Sequence, residues 1–224
     1  EITPQSQTQL LSVDEWMTIL GAFHRIGVKA VRLTGGEPLL YPHIEELLAR
    51  IKQTGWFEDI SMTTNGSFLA PRAAKLKELG LNRVNISLDS LDSDAFTLCV
   101  GKANQLDSVL NGIQRAIDAG FTSVKINTVL SRHWTDDEVH DLLHYVETWP
   151  VIWRFIEYMP FQGDAFHGPT FDEWKAQLER VSGGILTENH DVYGFGPATY
   201  YNLPSGKEIG FIFSMSHSYC DTCN

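Results

Sequence analysis

Two periodicities alternate along the chain. Stretches in which apolar residues return every three or four positions end at a glycine. Short stretches in which they return every second position then follow. The first helical stretch opens at Ser12-Val13-Asp14-Glu15, a capping box, and ends at Gly27, before a strand over Lys29–Thr34. A helix over Pro42–Thr54, closed by Gly55, precedes a strand over Asp59–Asn65. Pro71–Leu79, ended by Gly80, precedes Arg83–Asp89, and Leu106–Ala119, ended by Gly120, precedes Ser123–Leu130. A second capping box, Thr135 with Glu138, starts a helix to about Thr148, before a strand over Val151–Tyr158. Glycines after the helices supply left-handed caps. Five strands separated by helices predict right-handed crossovers and a parallel sheet. After Pro160 the rhythm breaks. One more capped helix, from Thr170, leads into aromatic, glycine-rich sequence that reads as a hairpin around Tyr200 and Phe211. Residues 1–160 are therefore expected to form the core of the fold and 161–224 a C-terminal extension.

The strands carry a second message. A parallel strand covered on both faces reads as a nearly continuous apolar run. Here only one parity is apolar. Val31 and Leu33 oppose Arg32 and Thr34, and Ile60 and Met62 oppose Ser61, Thr63 and Asn65. Val84, Ile86 and Leu88 oppose Asn85, Ser87 and Asp89, while Val124 and Ile126 oppose Lys125 and Asn127. Alternate residues share a face. Helices can cover the apolar one, and the other must line a polar cavity. An incomplete parallel (β/α) barrel with a wet lumen suits this better than a flat, doubly wound sheet.

Composition sharpens the picture. The 224 residues carry a net charge of −11, which argues against general nucleic-acid or anionic-membrane binding, and no apolar run is long enough for a membrane helix. Three cations nonetheless fall on the strands: Arg32, Lys125 and Arg154. Burying such charges is costly unless they meet carboxylates or an anionic ligand. Asp89 and Glu157 are the candidate structural partners. A phosphorylated ligand accounts for three bases better than two acids do. Only three cysteines are present, too few for a disulfide framework, so a reducing, cytoplasmic setting is expected. Cys99, among Phe96, Leu98 and Val100, reads as a small buried hydrophobe. Cys220 and Cys223 form a Cys-x-x-Cys pair suited to an iron–sulfur cluster or to half of a zinc site.

Gly35-Gly36-Glu37-Pro38 follows the first strand, at the sheet end where α/β folds keep their ligands. Four segments occur in order: Arg32-Leu33-Thr34-Gly35-Gly36-Glu37-Pro38, Thr63-Thr64-Asn65-Gly66, Asn85-Ile86-Ser87-Leu88-Asp89-Ser90-Leu91, and Arg154-Phe155-Ile156-Glu157-Tyr158-Met159-Pro160. With the closing Tyr219-Cys220-Asp221-Thr222-Cys223-Asn224, they resemble the radical S-adenosylmethionine (SAM) enzymes, and among these the GTP 3′,8-cyclase family of molybdenum cofactor biosynthesis.

The resemblance implies a set of roles. Gly35, Gly36 and Glu37 would meet the methionyl end of SAM, Ser87 would bind it by its hydroxyl, and the Met159 backbone would meet the adenine. Arg32, Thr63, Lys125 and Arg154 would line the site of GTP, the substrate. Cys220 and Cys223 would ligate the second of two 4Fe–4S clusters. The implied reaction is the radical cyclisation of GTP to 3′,8-cyclo-7,8-dihydro-GTP. It implies as partners an electron donor and a downstream cyclic pyranopterin monophosphate synthase. The family's CxxxCxxC motif, which holds the first cluster, does not occur in these residues. The sequence is accordingly expected to be a piece of a longer protein, inactive alone. Ala30 stands where the family often carries a base, and Lys29 beside it has the opposite parity. Two other readings fit parts of the pattern: a peptide-modifying radical SAM enzyme, and a non-catalytic nucleotide-binding relative without the first cluster. A small zinc-binding interaction protein is a third.

Overall fold

A computed structural model describes residues 10–101, 105–160, 168–190 and 196–216. Cys220, Cys223 and the side chain of Cys99 lie outside the described part. The five predicted strands form, as β1 (Ala30–Leu33), β2 (Asp59–Thr64), β3 (Arg83–Ser87), β4 (Ser123–Leu130) and β5 (Ile152–Glu157). Beyond them come β6 (Thr187–Asn189), β7 (Thr199–Asn202) and β8 (Glu208–Ile212). All eight belong to one sheet, in the order β1-β2-β3-β4-β5-β8-β7-β6. Pairing is parallel from β1 through β5 to β8, and the predicted hairpin is β7–β8, paired antiparallel. β1 and β6 are the two edges, so the sheet is an open, incomplete barrel.

Seven α-helices are described: α1 (Val13–Arg25), α2 (Ile44–Thr54), α3 (Ala73–Glu78), α4 (Ser93–Val100), α5 (Leu106–Asp118), α6 (Asp136–Thr148) and α7 (Phe171–Ser182). The capping boxes form as the sequence predicts. Ser12, Thr135 and Thr170 accept from the amides of Glu15, Glu138 and Glu173, whose carboxylates return to the cap amides. Sequence reading assigned no element to α4. It is short, Leu98 on it is 85% exposed, and Phe96 is its one core residue among those described, so an amphipathic stripe barely exists. What starts it is local, since the Asp92 carboxylate accepts from the Ala95 amide at 2.7 Å.

The apolar strand parity makes the core. Met62, Val84, Ile86, Ile126, Trp153, Phe155, Ile209 and Phe211 are all essentially buried beneath the helices. The Phe155 ring lies 5.1 Å from Trp174 of α7 and 6.0 Å from Phe211 of β8, so the described residues after 160 share this core. One buried polar pair sits within it. The Trp153 indole donates to the Thr128 hydroxyl at 2.8 Å, and Thr128 donates to the Leu88 carbonyl at 2.6 Å. Each leaves no buried donor unmet.

Candidate functional site

Strand register places the polar parity in three rows across the open face. Arg32, Ser61, Arg83 and Ser123 stand side by side in the first row, and Thr63, Asn85 and Lys125 in the second. Ser87, Asn127, Arg154, Gly210 and Tyr200 form the third. Except for Ser87 and Gly210, these residues line one cavity of about 160 Å³, completed by residues of the segment before β7 and by Ile212. All four sequence-predicted substrate positions, Arg32, Thr63, Lys125 and Arg154, face this space.

Its electrostatics are set by crowding of positive charge. Lys125 is buried, and its ammonium is pushed down to about 8, first by burial and then by the Arg154 guanidinium, with Arg83 and Arg32 adding to the effect. Glu208, at the start of β8, pulls the other way. Burial also lowers Arg154, against the opposing influence of Tyr200. Arg154 donates through Nε to the Asn127 amide oxygen at 2.9 Å and through Nη2 to that of Asn85 at 3.1 Å. Lys125 Nζ lies 3.2 Å from the Tyr200 hydroxyl. Neutral oxygens of Asn127, Asn85 and Tyr200 are among the groups that orient these two cations.

The two acids that were the alternative partners of these cations are engaged elsewhere. Asp89 accepts from the Val129 amide at 2.8 Å, and burial raises its carboxyl. Glu157 is buried on the helix side of β5 and accepts from the Met215 amide at 2.6 Å and the Ser216 amide at 3.0 Å. Neither carboxylate serves the strand cations. The ion pair that does form was not foreseen: Arg83 donates from Nε to Asp59 at 2.8 Å and from Nη2 to the second Asp59 oxygen. Arg83 shares the parity of Asn85 and Ser87, so the signal was in the sequence. Tyr200 carried no such signal, because its place depends on how the hairpin docks.

The residues assigned to SAM by resemblance gather elsewhere, at the carboxyl ends of the strands. A Cβ on Gly35 or Gly36 would meet nothing within 4 Å, so this backbone lies open to a ligand. Ser87 is half-buried at the end of β3, and Met159 is exposed just past β5, its sulfur 3.5 Å from the Ser214 hydroxyl. Glu37 is tied into the rim. Its carboxylate accepts from the Leu39 amide at 3.0 Å, the Thr64 hydroxyl at 2.7 Å and the Asn65 amide at 2.7 Å. Thr64 in turn accepts from the Gly66 amide at 3.1 Å. The GGEP and TTNG segments are thus knitted into one rim. Gly66 has φ +78°, and a Cβ there would lie 2.9 Å from Ile86 Cγ2, so glycine is required on both counts. An open backbone with a nearby hydroxyl fits the amino-acid end of a SAM-like ligand. Among the described residues no three metal-ligating side chains come together.

An open parallel sheet with a polar lumen and a GGEP rim defines the class. The model of the radical SAM superfamily matches residues 3–146. The structure of Streptococcus suis SuiB bound to S-adenosylmethionine superposes with TM-score 0.56 at 20% identity, over 78% of this chain and 38% of that one, a likeness of fold. "GTP 3′,8-cyclase 2" of Pseudomonas aeruginosa is 40% identical across 96% of this chain and 66% of its own length. "GTP 3′,8-cyclase" of Moorella thermoacetica is 38% identical across 96% of this chain and 67% of its own length. The chain belongs to the GTP 3′,8-cyclase family of radical SAM proteins. It spans about two thirds of the length of these curated relatives. None of its described helices is long and apolar enough to cross a membrane.

Proposed function

We propose that this chain is the nucleotide- and cofactor-holding sheet of an enzyme that cyclises GTP to 3′,8-cyclo-7,8-dihydro-GTP for molybdenum cofactor biosynthesis. The single observation that carries the reading is the polar cavity, in which Arg32, Arg83, Lys125 and Arg154 converge and Arg83 has a carboxylate at its side. A triphosphate is the anion whose charge matches such a set. Arginine guanidinium groups take phosphate oxygens in pairs, and Lys125 acts as a point charge. Thr63, between the cations, adds a hydroxyl donor.

SAM, held with a 4Fe–4S cluster, would supply the radical chemistry that begins at the ribose 3′ position. The chain's own residues orient and shield. Gly35 and Gly36 would receive the methionyl amino group on open backbone, with Glu37 fixing the rim beneath it. Ser87 would donate to SAM, and the Met159 backbone would meet the adenine. Ser87 and Asn127 are neighbours in the third row, so the rim that would hold SAM adjoins the cavity that would hold GTP. Cys220 and Cys223 are assigned to the second cluster. Residues 1–160 would supply the first five strands, and 161–224 an extension that continues the same sheet and core through β6–β8 and carries this cysteine pair. An electron donor and a downstream cyclic pyranopterin monophosphate synthase are its partners, in the cytoplasm.

Calorimetric titration of GTP into the full-length, anaerobically reconstituted protein tests the reading. Lys125→Ala should weaken binding on the order of tenfold to a hundredfold, as for loss of a charged hydrogen-bond partner. Equal binding would remove the cavity as the phosphate site and favour a peptide substrate.

A further inference from the structure

The third row ends in two residues that no resemblance assigned, Gly210 and Tyr200. Tyr200 comes from β7, the strand that runs against its neighbours, and it reaches the cations across β8. Its ring is almost fully buried, and its hydroxyl lies 3.2 Å from Lys125 Nζ while also hydrogen-bonding Arg154. Arg154 is pinned from the opposite side by Asn127 and Asn85. We propose that Tyr200 is a positioning residue of the phosphate subsite, its neutral hydroxyl aiming Lys125 and Arg154 at the anion, and that Gly210 is the gap through which it reaches them. The inference rests on the cavity being the site of the nucleotide phosphates.

Chemistry explains why a phenol suits this place. A carboxylate would orient the same two cations, but it would also neutralise them and compete with the incoming phosphate. A hydroxyl accepts one hydrogen bond from each and leaves their net charge intact. Burial raises the Tyr200 phenol above its ordinary value, so it stays neutral across the working range of pH. Lys125 also lies over the tyrosine ring, 5.6 Å from its centroid, where the ring face favours the charged form of the amine.

Gly210 supplies the space. Its backbone is not in the left-handed region, so conformation alone does not demand glycine there. A Cβ would sit 2.9 Å from Arg154 Cγ and 3.0 Å from Tyr200 Cε1, closer than side chains tolerate. Any larger residue at 210 would pry the arginine and the tyrosine apart. A glycine inside a strand weakens it and marks a close approach. Here the approach is between two parts of the subsite.

The test is GTP titration into the full-length reconstituted protein, with Lys125→Ala as the reference for the cavity. Tyr200→Phe keeps the ring and removes the oxygen. It should retain the parent's thermal midpoint within a few degrees and its turnover at saturating GTP, yet bind GTP about tenfold more weakly. The loss should deepen from pH 6.5 to 8.5, because Lys125 without its acceptor releases its proton at lower pH. Gly210→Ala should weaken GTP in the same direction through a different atom, so the inference does not depend on one variant. If Lys125→Ala weakens binding while both other variants keep the parent's affinity and pH profile, Tyr200 has no positioning role and the cavity reading survives. If Lys125→Ala binds as the parent does, the cavity reading falls and the Tyr200 inference with it.

Discussion

Replacing Lys125 by methionine should stabilise the nucleotide-free protein while removing part of its hold on the anion. Lys125 is 6% exposed, and its ammonium is pushed from an ordinary 10.5 down to about 8, first by burial and then by Arg154. At about 1.4 kcal/mol per pH unit, the interior disfavours the charged amine by about 3 kcal/mol at pH 7. The sign follows from proton counts. Between pH 8 and 10.5 the unfolded chain holds more protons on this group than the folded one, so stability rises with pH through that window. Below pH 8 the full cost is present.

Methionine has a similar length, no branching and no charge. It forfeits the hydrogen bond and ring contact with Tyr200, together about 1 kcal/mol. The net gain is then about 2 kcal/mol at pH 7, which for a domain of this size raises the thermal midpoint by about 4–8 °C. By pH 9 the parent has recovered about 1 kcal/mol of its own, so the difference should shrink by about half. Anaerobic thermal or urea denaturation of parent and variant at the two pH values measures this. A variant that melts at or below the parent at pH 7, or a difference that does not narrow at pH 9, refutes the reasoning.

Two further substitutions probe the rim and the frame. Glu37→Gln replaces one carboxylate oxygen by an NH₂, which then faces either the Asn65 amide or the Leu39 amide and Thr64 hydroxyl, all of them donors. It should cost about 1–3 kcal/mol in denaturation and, in the full-length protein, weaken SAM in equilibrium dialysis more than it weakens GTP. Glu138→Gln keeps the α6 capping box but removes the charge paired with Arg132, whose hydrogen bond holds the Glu138 carboxyl down to about 2. That contribution is complete above pH 4.5 and lost as pH falls towards 2, so the variant should be about 1 kcal/mol less stable at pH 7 and converge on the parent in acid. A constant gap over the acid titration, followed by circular dichroism, would contradict it.

What the sequence discloses here is whatever repeats locally. Strand parity placed Arg32, Thr63, Lys125 and Arg154 on one face because β-structure has a period of two and helices cover only apolar surface. Capping boxes at Ser12, Thr135 and Thr170 were legible for the same reason, since each is written within four residues. Failures began where a partner lies far along the chain. Asp89 and Glu157 are acids of suitable spacing, but their lone pairs go to backbone amides of Val129, Met215 and Ser216, and no periodicity announces which distant amide a carboxylate will meet. The pairing of Arg83 with Asp59 needed the β2–β3 register, in which Asp59 stands two residues before Ser61, the partner of Arg83. Tyr200 needed more still: the reversal of β7, the parallel docking of β8 on β5, and a glycine between them. Gly210 was the one mark left in the sequence by that arrangement. A glycine amid Ile209, Phe211 and Ile212 weakens a strand that would otherwise be well formed. Its presence argues that something large must cross there, and the side chain that crosses is the one whose hydroxyl reaches Lys125.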